Sequence, residues 1–262
     1  MTAQPLRLGG TTFDTLIGHT GFVGSNLARE HGFAHQFNSR NSGDMRGLDA
    51  QGVICAGVHA EKWRSNAEPA QDLANIEDVF ANIREIQTDN FILISTVDVY
   101  DPPVACDESH QPDLAASHPY GRHRLLLEGM VLAHFPKAKI IRLPGLFGSG
   151  LKKNIIFDLV NQRRGEWIAP NSHLQWFDIR RLVPVLEVMF ANDIALLNVV
   201  TEPVATTALR DIIAPGYPIA EPNPQAPRYD VRSRHAALFG GRDGYLLDGA
   251  SVLADLRDFL VA

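Results

Sequence analysis

The sequence predicts an α/β fold, a doubly wound parallel sheet with a small C-terminal part. Two continuous apolar runs, Gly52-Val-Ile-Cys-Ala-Gly57 and Phe91-Ile-Leu-Ile-Ser95, have the form of strands covered on both faces. Segments of helical periodicity separate such runs, the pattern of strand–helix–strand crossovers. A glycine-rich turn, Gly18-His-Thr-Gly-Phe-Val-Gly24, joins the first strand to the first helix.

In chain order, Phe13–Ile17 reads as a short strand that ends in glycine. Phe22–His31 has helical apolar spacing and is closed by Gly32. Ala34–Phe37 fits a second strand, and the run bounded by Gly52 and Gly57 a third. Pro69–Gln87 predicts a long helix with Leu73, Ile76, Val79, Phe80, Ile83 and Ile86 on one face. Phe91–Ser95 is a central strand, His118–His134 a helix and Lys139–Leu143 a further strand before Pro144. Beyond residue 150 the pattern loosens. Helices are expected over Asn154–Arg164 and Arg180–Asn192, a strand over Ala195–Val200 and a last helix over Ala250–Leu260. Between them, prolines 215, 218, 222, 224 and 227 predict an irregular surface loop. The expected division is residues 1–150, with 195–210 returning to them, and a smaller part over 151–262.

Composition narrows the function classes. In 262 residues, 45% are apolar and 21% charged, ordinary values for a chain with a sizeable core. The net charge of −6 and the absence of a basic stretch argue against a nucleic-acid partner. The pairs Lys152-Lys153, Arg163-Arg164 and Arg180-Arg181 read as solvated helix faces. Two cysteines make no disulfide framework, and Cys55 reads as a buried strand thiol. Ten scattered histidines show no metal-ligand spacing, so no metal is expected. Trp63, Trp167 and Trp176 read as packing or pocket-lip residues. No apolar run is long enough to span a membrane, and Met1–Pro5 lacks the form of a secretory leader, so the cytoplasm is the expected location.

The glycine turn carries the first functional signal. Between a strand and a helix, Gly18, Thr20, Gly21, Phe22, Val23 and Gly24 bring backbone N–H groups and a helix N-terminus to a pyrophosphate. The expected ligand is a nicotinamide dinucleotide on an N-terminal Rossmann unit. The end of the second strand selects the cofactor. An acidic residue there would hold a ribose 2′-hydroxyl, but Asn38-Ser-Arg-Asn41 has no carboxylate until Asp44. Ser39, Arg40 and Asn41 instead suit a 2′-phosphate, which favours NADP(H) over NAD(H).

The catalytic signal follows the central strand. Ser95 and Thr96 stand at its C-terminal end, where ligands bind in such sheets. Downstream, Tyr120-Gly-Arg-His-Arg124 opens a helix, so Tyr120 and Arg124 share a face. A cation there is expected to favour the phenolate and lower the tyrosine pKa towards a useful range. Thr96 is expected to hydrogen-bond the reacting oxygen of the substrate.

These motifs resemble the extended short-chain dehydrogenases/reductases, the NAD-dependent epimerase/dehydratase family. The family's catalytic set is a Ser/Thr with Tyr-x-x-x-Lys. Thr96 and Tyr120 match it, and Arg124 stands where lysine is expected. Cys55, Ala56 and Gly57 resemble the strand that lines the cofactor, and Asn75 resembles a helix asparagine of the relay. Arg142-Leu-Pro-Gly-Leu-Phe-Gly148, with Pro144 and Leu146, resembles the segment around the nicotinamide. His123 is an alternative relay group, although a lone helix histidine is more often at the surface. The resemblance spans residues 13–165, with weaker echoes at Trp176–Leu182 and Leu197–Thr207.

The resemblance implies an oxidoreductase or epimerase acting on a sugar or nucleotide-sugar carbonyl. The dehydratase signature, an Asp-Glu pair after the threonine, is replaced by Val97-Asp98. The compact length suits members of the dTDP-4-dehydrorhamnose reductase type. Asn154 is the candidate substrate contact, with Arg180 and Arg181 as weaker candidates for a substrate phosphate. The family's dimers pair helices equivalent to Pro69–Gln87 and His118–His134, which implies a homodimer. The alternative function is a non-catalytic dinucleotide-binding regulator or sensor, which the arginine at 124 favours.

Overall fold

A computed structural model of the chain describes residues 3–115 and 117–261. The chain opens with an antiparallel hairpin, β1 (Leu6–Leu8) and β2 (Thr11–Phe13), in which Leu6 faces Phe13. Gly9 and Gly10 both take positive φ, 56° and 85°, as a two-residue hairpin turn requires. The expected Phe13–Ile17 strand is therefore two elements. Phe13 closes the hairpin, and β3 (Thr15–Ile17) begins the main sheet. Asp14 breaks the run because its carboxylate accepts from the Thr15 hydroxyl at 3.0 Å and the Gln51 amide at 3.2 Å.

After β3 come α1 (Phe22–Glu30), β4 (His35–Phe37) and β5 (Val53–Cys55). A short 3-10 turn, Ser42–Met45, lies between β4 and β5. Next are α2 (Lys62–Ala67), α3 (Pro69–Ile83), β6 (Phe91–Thr96), β7 (Val104–Cys106), α4 (Pro119–His134) and β8 (Lys139–Leu143). The sequence does not predict α2, and α3 stops four residues short of the expected Gln87. Gln87 instead bridges Asp49 in β fashion, and Ile86 stays buried in the core.

The remainder comprises β9 (Gly145–Phe147), α5 (Ile155–Val160), β10 (His173–Leu174), β11 (Trp176–Asp178) and α6 (Leu182–Ala191). It ends with β12 (Leu196–Asn198), β13 (Val204–Ala205), α7 (Thr206–Ile213), β14 (Asp230–Val231) and α8 (Gly249–Val261). The expected helix to Arg164 ends at Val160, and the proline-rich stretch carries neither helix nor strand.

The main sheet has six strands in the order β12-β8-β6-β5-β3-β4. Strands β4, β3, β5 and β6 run parallel, with Ile17 opposite both Phe37 and Cys55. The chain passes from β3 to β4 on one side and then returns to β5 on the other. The direction of winding reverses between β3 and β5, which opens a crevice beyond their carboxyl ends. Apolar side chains of β3, β5 and β6 pack against α3 and α4 through Ile76, Ile83, Leu127 and Val131.

The chain divides into two compact units. The first holds the described residues up to Pro102, with Gln111–Arg142 and Val183–Leu197. The second holds Pro103–His110, Leu143–Leu182 and Asn198 onward. Within the second, β9 pairs with β11 in parallel, β10 with β13 antiparallel and β7 with β14 in parallel. Its core contains Phe147, Ile156, Leu159, Trp176, Leu209 and Leu256. Gln175, only 2% exposed, donates to the carbonyls of Thr201 and Val231 and accepts the Val231 amide. One buried amide thereby fixes three segments distant in sequence.

Candidate active site

The glycine turn is a close-packed backbone cradle. Gly18 has φ +85°, and its amide donates to the Phe37 carbonyl at 2.7 Å. A Cβ on Gly18 would stand 2.3 Å from the Ala56 oxygen, and one on Gly24 would stand 2.2 Å from the Gly18 oxygen. Side chains at either position would separate β3 from β5 or α1 from the turn. His19 adds a side-chain tie, its Nδ1 lying 3.0 Å from the Phe37 carbonyl oxygen. Gly21 is the N-cap of α1, and no side chain caps it. The Gly21 amide donates to the Gly18 carbonyl at 2.9 Å, so the orphan N–H groups and the positive helix end face the crevice at Phe22-Val23, with Thr20 beside them. This cradle fits the pyrophosphate of a dinucleotide.

The loop after β4 is held by its own asparagines. Asn38 Oδ1 accepts the Arg40 amide at 2.8 Å, and Asn41 Oδ1 accepts the Asn38 amide at 2.7 Å. Asn41 Nδ2 donates to the Gln36 carbonyl, while Ser39 and Arg40 are exposed at the tip. Cys55 is fully buried, and burial pushes its thiol up to about 11, so it is inert at neutral pH. Ala56 and Gly57 follow it at the carboxyl end of β5. The Ser95 hydroxyl donates to Glu128 at 2.5 Å, and Glu128 in turn accepts from Arg142. Arg142 also donates to the Tyr100 hydroxyl at 2.7 Å. This buried set ties β6, α4 and β8 together beneath the site.

Thr96 and Tyr120 come together beside the carboxyl end of β6. The Thr96 hydroxyl lies near enough to the Tyr120 phenol to pull its pKa down, and it accepts the Asp98 amide at 3.1 Å. Tyr120 sits in the first turn of α4, where the His118 Nδ1 caps the Gly121 amide at 3.1 Å. The turn lies close on the strand end, since a Cβ on Gly121 would meet the Asp98 carbonyl oxygen at 2.0 Å. Asn66 Oδ1 accepts the Tyr120 amide at 3.0 Å and locks α2 to the same turn.

Arg124 lies over the Tyr120 ring, its guanidinium carbon 4.0 Å from the centroid. Its charge is already engaged. Both terminal nitrogens donate to the Asp72 carboxylate, and Nη2 also donates to the His59 carbonyl at 2.5 Å. Arg124 and Asp72 are only 4% and 6% exposed. Asp72 also accepts from Ser65 at 2.7 Å and lies 2.7 Å from His123 Nδ1. Burial alone would raise the Asp72 pKa, but hydrogen bonds from Arg124, Ser65 and His123 hold it below the ordinary value.

Two expectations are corrected here. His123 is buried rather than at the surface, because it turns towards Asp72. Arg124 pulls the Tyr120 pKa down as expected, but burial first and Asp98 second outweigh Arg124 and Thr96 and push it up to about 12. Asp72 is the residue that sequence reasoning missed. Asn75, one turn further along α3, instead accepts from Gln71 and lines an open cleft of about 530 Å³ along α2. Asp72 sat within the recognised helix, but its partners are 51 and 52 residues away, and no local spacing reveals them.

Pro144, Leu146 and Asn154 belong to the second unit. Asn154 caps α5, accepting the Phe157 amide at 3.0 Å and donating to the Leu146 carbonyl at 2.8 Å. Any substrate contact by Asn154 would compete with both bonds. Arg180 and Arg181 are not simply solvated, since they pair with Asp178 and Asp255 at 2.5 and 2.6 Å. Trp176 is packed in the core, whereas Trp63 and Trp167 are exposed rather than packed. Among the described residues, no group of three or more His, Cys, Asp or Glu is placed to hold a metal. No described helix is long and apolar enough to cross a membrane.

No protein-family model and no curated protein sequence matches the chain. Solved structures match its fold over most of its length. RMD from Pseudomonas aeruginosa, complexed with NADPH, is 17% identical with a TM-score of 0.70, over 95% of this chain and 98% of that one. A dTDP-4-dehydrorhamnose reductase from Yersinia enterocolitica is 12% identical with a TM-score of 0.71, over 94% and 98%. A UDP-glucose 4-epimerase from Thermotoga maritima, with UDP-glucose, is 15% identical with a TM-score of 0.64, over 85% and 90%. At these identities the likeness speaks for the Rossmann-type α/β fold.

Proposed function

We propose that the chain is a nicotinamide-dinucleotide-dependent oxidoreductase or epimerase acting on a sugar or nucleotide-sugar carbonyl or alcohol. The approach of the Thr96 hydroxyl to the Tyr120 phenol, beside the carboxyl end of β6, carries this reading. A phenol and a second hydroxyl close together, in the unit that holds the glycine cradle, support a general acid/base role for Tyr120. NADPH in one structural neighbour and UDP-glucose in another support the ligand classes.

The cradle Gly18–Gly24 would hold the pyrophosphate, and Ser39 and Arg40 at the loop tip would hold a 2′-phosphate, giving NADP(H) preference. When bound, the dinucleotide supplies or accepts hydride. Thr96 orients the substrate oxygen, and Tyr120 gives it a proton in reduction or takes one in oxidation. The high Tyr120 pKa suits proton donation to a developing alkoxide; the reverse step needs a nearby positive charge to lower it.

Two measurements test the reading. NADPH should bind more tightly than NADH, and Arg40→Ala should reduce that preference; equal binding by both proteins refutes the NADP assignment. Tyr120→Phe should abolish NADPH-dependent reduction of 4-keto nucleotide sugars or oxidation of UDP-glucose. A second reading, a dinucleotide-binding sensor without turnover, is favoured by the engagement of Arg124 with Asp72. It predicts cofactor binding with no turnover by the wild-type chain.

A further inference from the structure

The Tyr-x-x-x-Arg spacing supplies one cation to Tyr120, and Asp72 offsets part of its effect. A second cation reaches the same hydroxyls from α2. Lys62 Nζ lies 2.6 Å from Asp98 Oδ1, and Asp98 Oδ2 lies 3.3 Å from the Thr96 hydroxyl. Thr96 in turn lies beside the Tyr120 phenol and lowers its pKa. The four groups form one continuous chain of contacts. Lys62 and Asp98 are 40% and 17% exposed, so the chain runs from the solvent boundary to a buried phenol. The backbone holds it in register, because Asn66 on α2 accepts the Tyr120 amide and the Gly121 turn rests on the Asp98 carbonyl.

We propose that Lys62, acting through Asp98 and Thr96, is the positioning residue that sets the ionisation of Tyr120. The proposal rests on the reading of Tyr120 as the acid/base group. A carboxylate beside the phenol opposes the phenolate, and the Lys62 ammonium offsets that carboxylate. Asp72 takes up part of the Arg124 charge, and Asp98 is the strongest charged opponent of the phenolate, so the Lys62–Asp98 pair weighs on the balance at Tyr120.

Other charged groups face the same place. Asp72 acts on Tyr120 from α3, and Arg124 from α4 itself. His118 and Asp101 stand at the approach to α4. His118 is held below its ordinary pKa by burial and then by Lys62, and its Nδ1 accepts the Gly121 amide, so it stays neutral above neutral pH. On α2, Arg64 is matched by Glu61 and Glu68 at 3.9 and 3.2 Å.

The test uses the full chain with 13Cζ-labelled tyrosine. The Tyr120 resonance is assigned by its loss in Tyr120→Phe. It is then followed from about pH 7 to about pH 10, where lysine side chains keep their charge and circular dichroism reports the native fold. Lys62→Met should delay the onset of titration by about one pH unit, which is about tenfold less phenolate at a given alkaline pH. Lys62→Arg should restore the wild-type curve, and Asp98→Asn should advance it. In the Asp98→Asn background, Lys62→Met should have no further effect. A Lys62→Met curve that superposes on wild type overturns the proposal, as does an effect that persists without Asp98. The titration needs no substrate, so its outcome is separate from the turnover of Tyr120→Phe, which tests the underlying reading.

Discussion

The buried Asp72–Arg124 pair offers the sharpest test of the site's architecture. Asp72→Ala removes the acceptor of two guanidinium donors and the partner of Ser65 and His123, leaving a charge that is only 4% exposed. Breaking a buried pair in this way costs about 3–5 kcal/mol, mostly through the orphaned charge. At about 2–4 °C per kcal/mol for a protein near this size, the melting temperature should fall by about 6–20 °C. Arg124→Met alone should cost less, because a carboxylate near the mouth of the α2 cleft can take up water or a proton. The double variant should be more stable than the sum of the singles by about 1–3 kcal/mol, since neither charge is left behind. Urea unfolding followed by far-ultraviolet circular dichroism measures all four corners of the cycle. A cost below about 1 kcal/mol for Asp72→Ala, with strictly additive effects, would refute the argument that this pair is desolvated and coupled.

Two further outcomes follow from the same geometry. The Asp72 pKa is depressed in the folded chain, so its contribution to stability is fully present above the unfolded value, about 3.9. That contribution is lost as pH falls through the lower folded value, and Asp72→Asn should flatten this acid limb in unfolding curves taken below about pH 4. Gly121→Ala forces a Cβ against the Asp98 carbonyl oxygen and should cost about 1–3 kcal/mol while moving Tyr120 away from Thr96; a calorimetric melting point equal to wild type would contradict the close approach.

The parts of the fold that could be read from the sequence are those encoded locally. Continuous apolar runs marked β5 and β6, and the strand–turn–helix context marked the cradle at Gly18–Gly24. Thr96 and Tyr120 were legible because each sits at the end of a periodic element. The N-terminal hairpin was equally local, and Gly9-Gly10 between apolar segments was its signal. It was overlooked because Phe13–Ile17 read as one strand, and the break at Asp14 depends on amides from residue 51 onward. The stopping point of α3 depends on the bridge from Asp49 to Gln87, again a distant partner.

The site was read less completely for the same reason. The helical spacing placed Arg124 against Tyr120 correctly, but the consequence of that contact depends on Asp72, which the helix pattern of α3 does not distinguish from its solvated neighbours. Lys62 lies on a helix too short to show periodicity. Asp98 was read from the sequence only as half of a missing pair. Electrostatic balance is set by groups converging from α2, α3, α4 and the end of β6, and that convergence exists only in three dimensions.

The proposed function requires the uncapped start of α1 to receive the phosphates of a nicotinamide dinucleotide. Gly21→Asp separates this role from folding. Gly21 has φ −75°, open to any residue, and an aspartate at an N-cap favours the helix by about 1 kcal/mol. Its Cβ would lie 3.3 Å from the Gly18 oxygen, a contact that a small adjustment relieves. The same carboxylate would occupy the N–H groups offered to a phosphate and repel it. NADPH fluorescence titration of wild type and Gly21→Asp is therefore the most direct measurement. Wild type should bind saturably, and the variant, with undiminished thermal stability, should bind at least about tenfold more weakly. Equal binding by the two proteins, or none by wild type, would contradict this role.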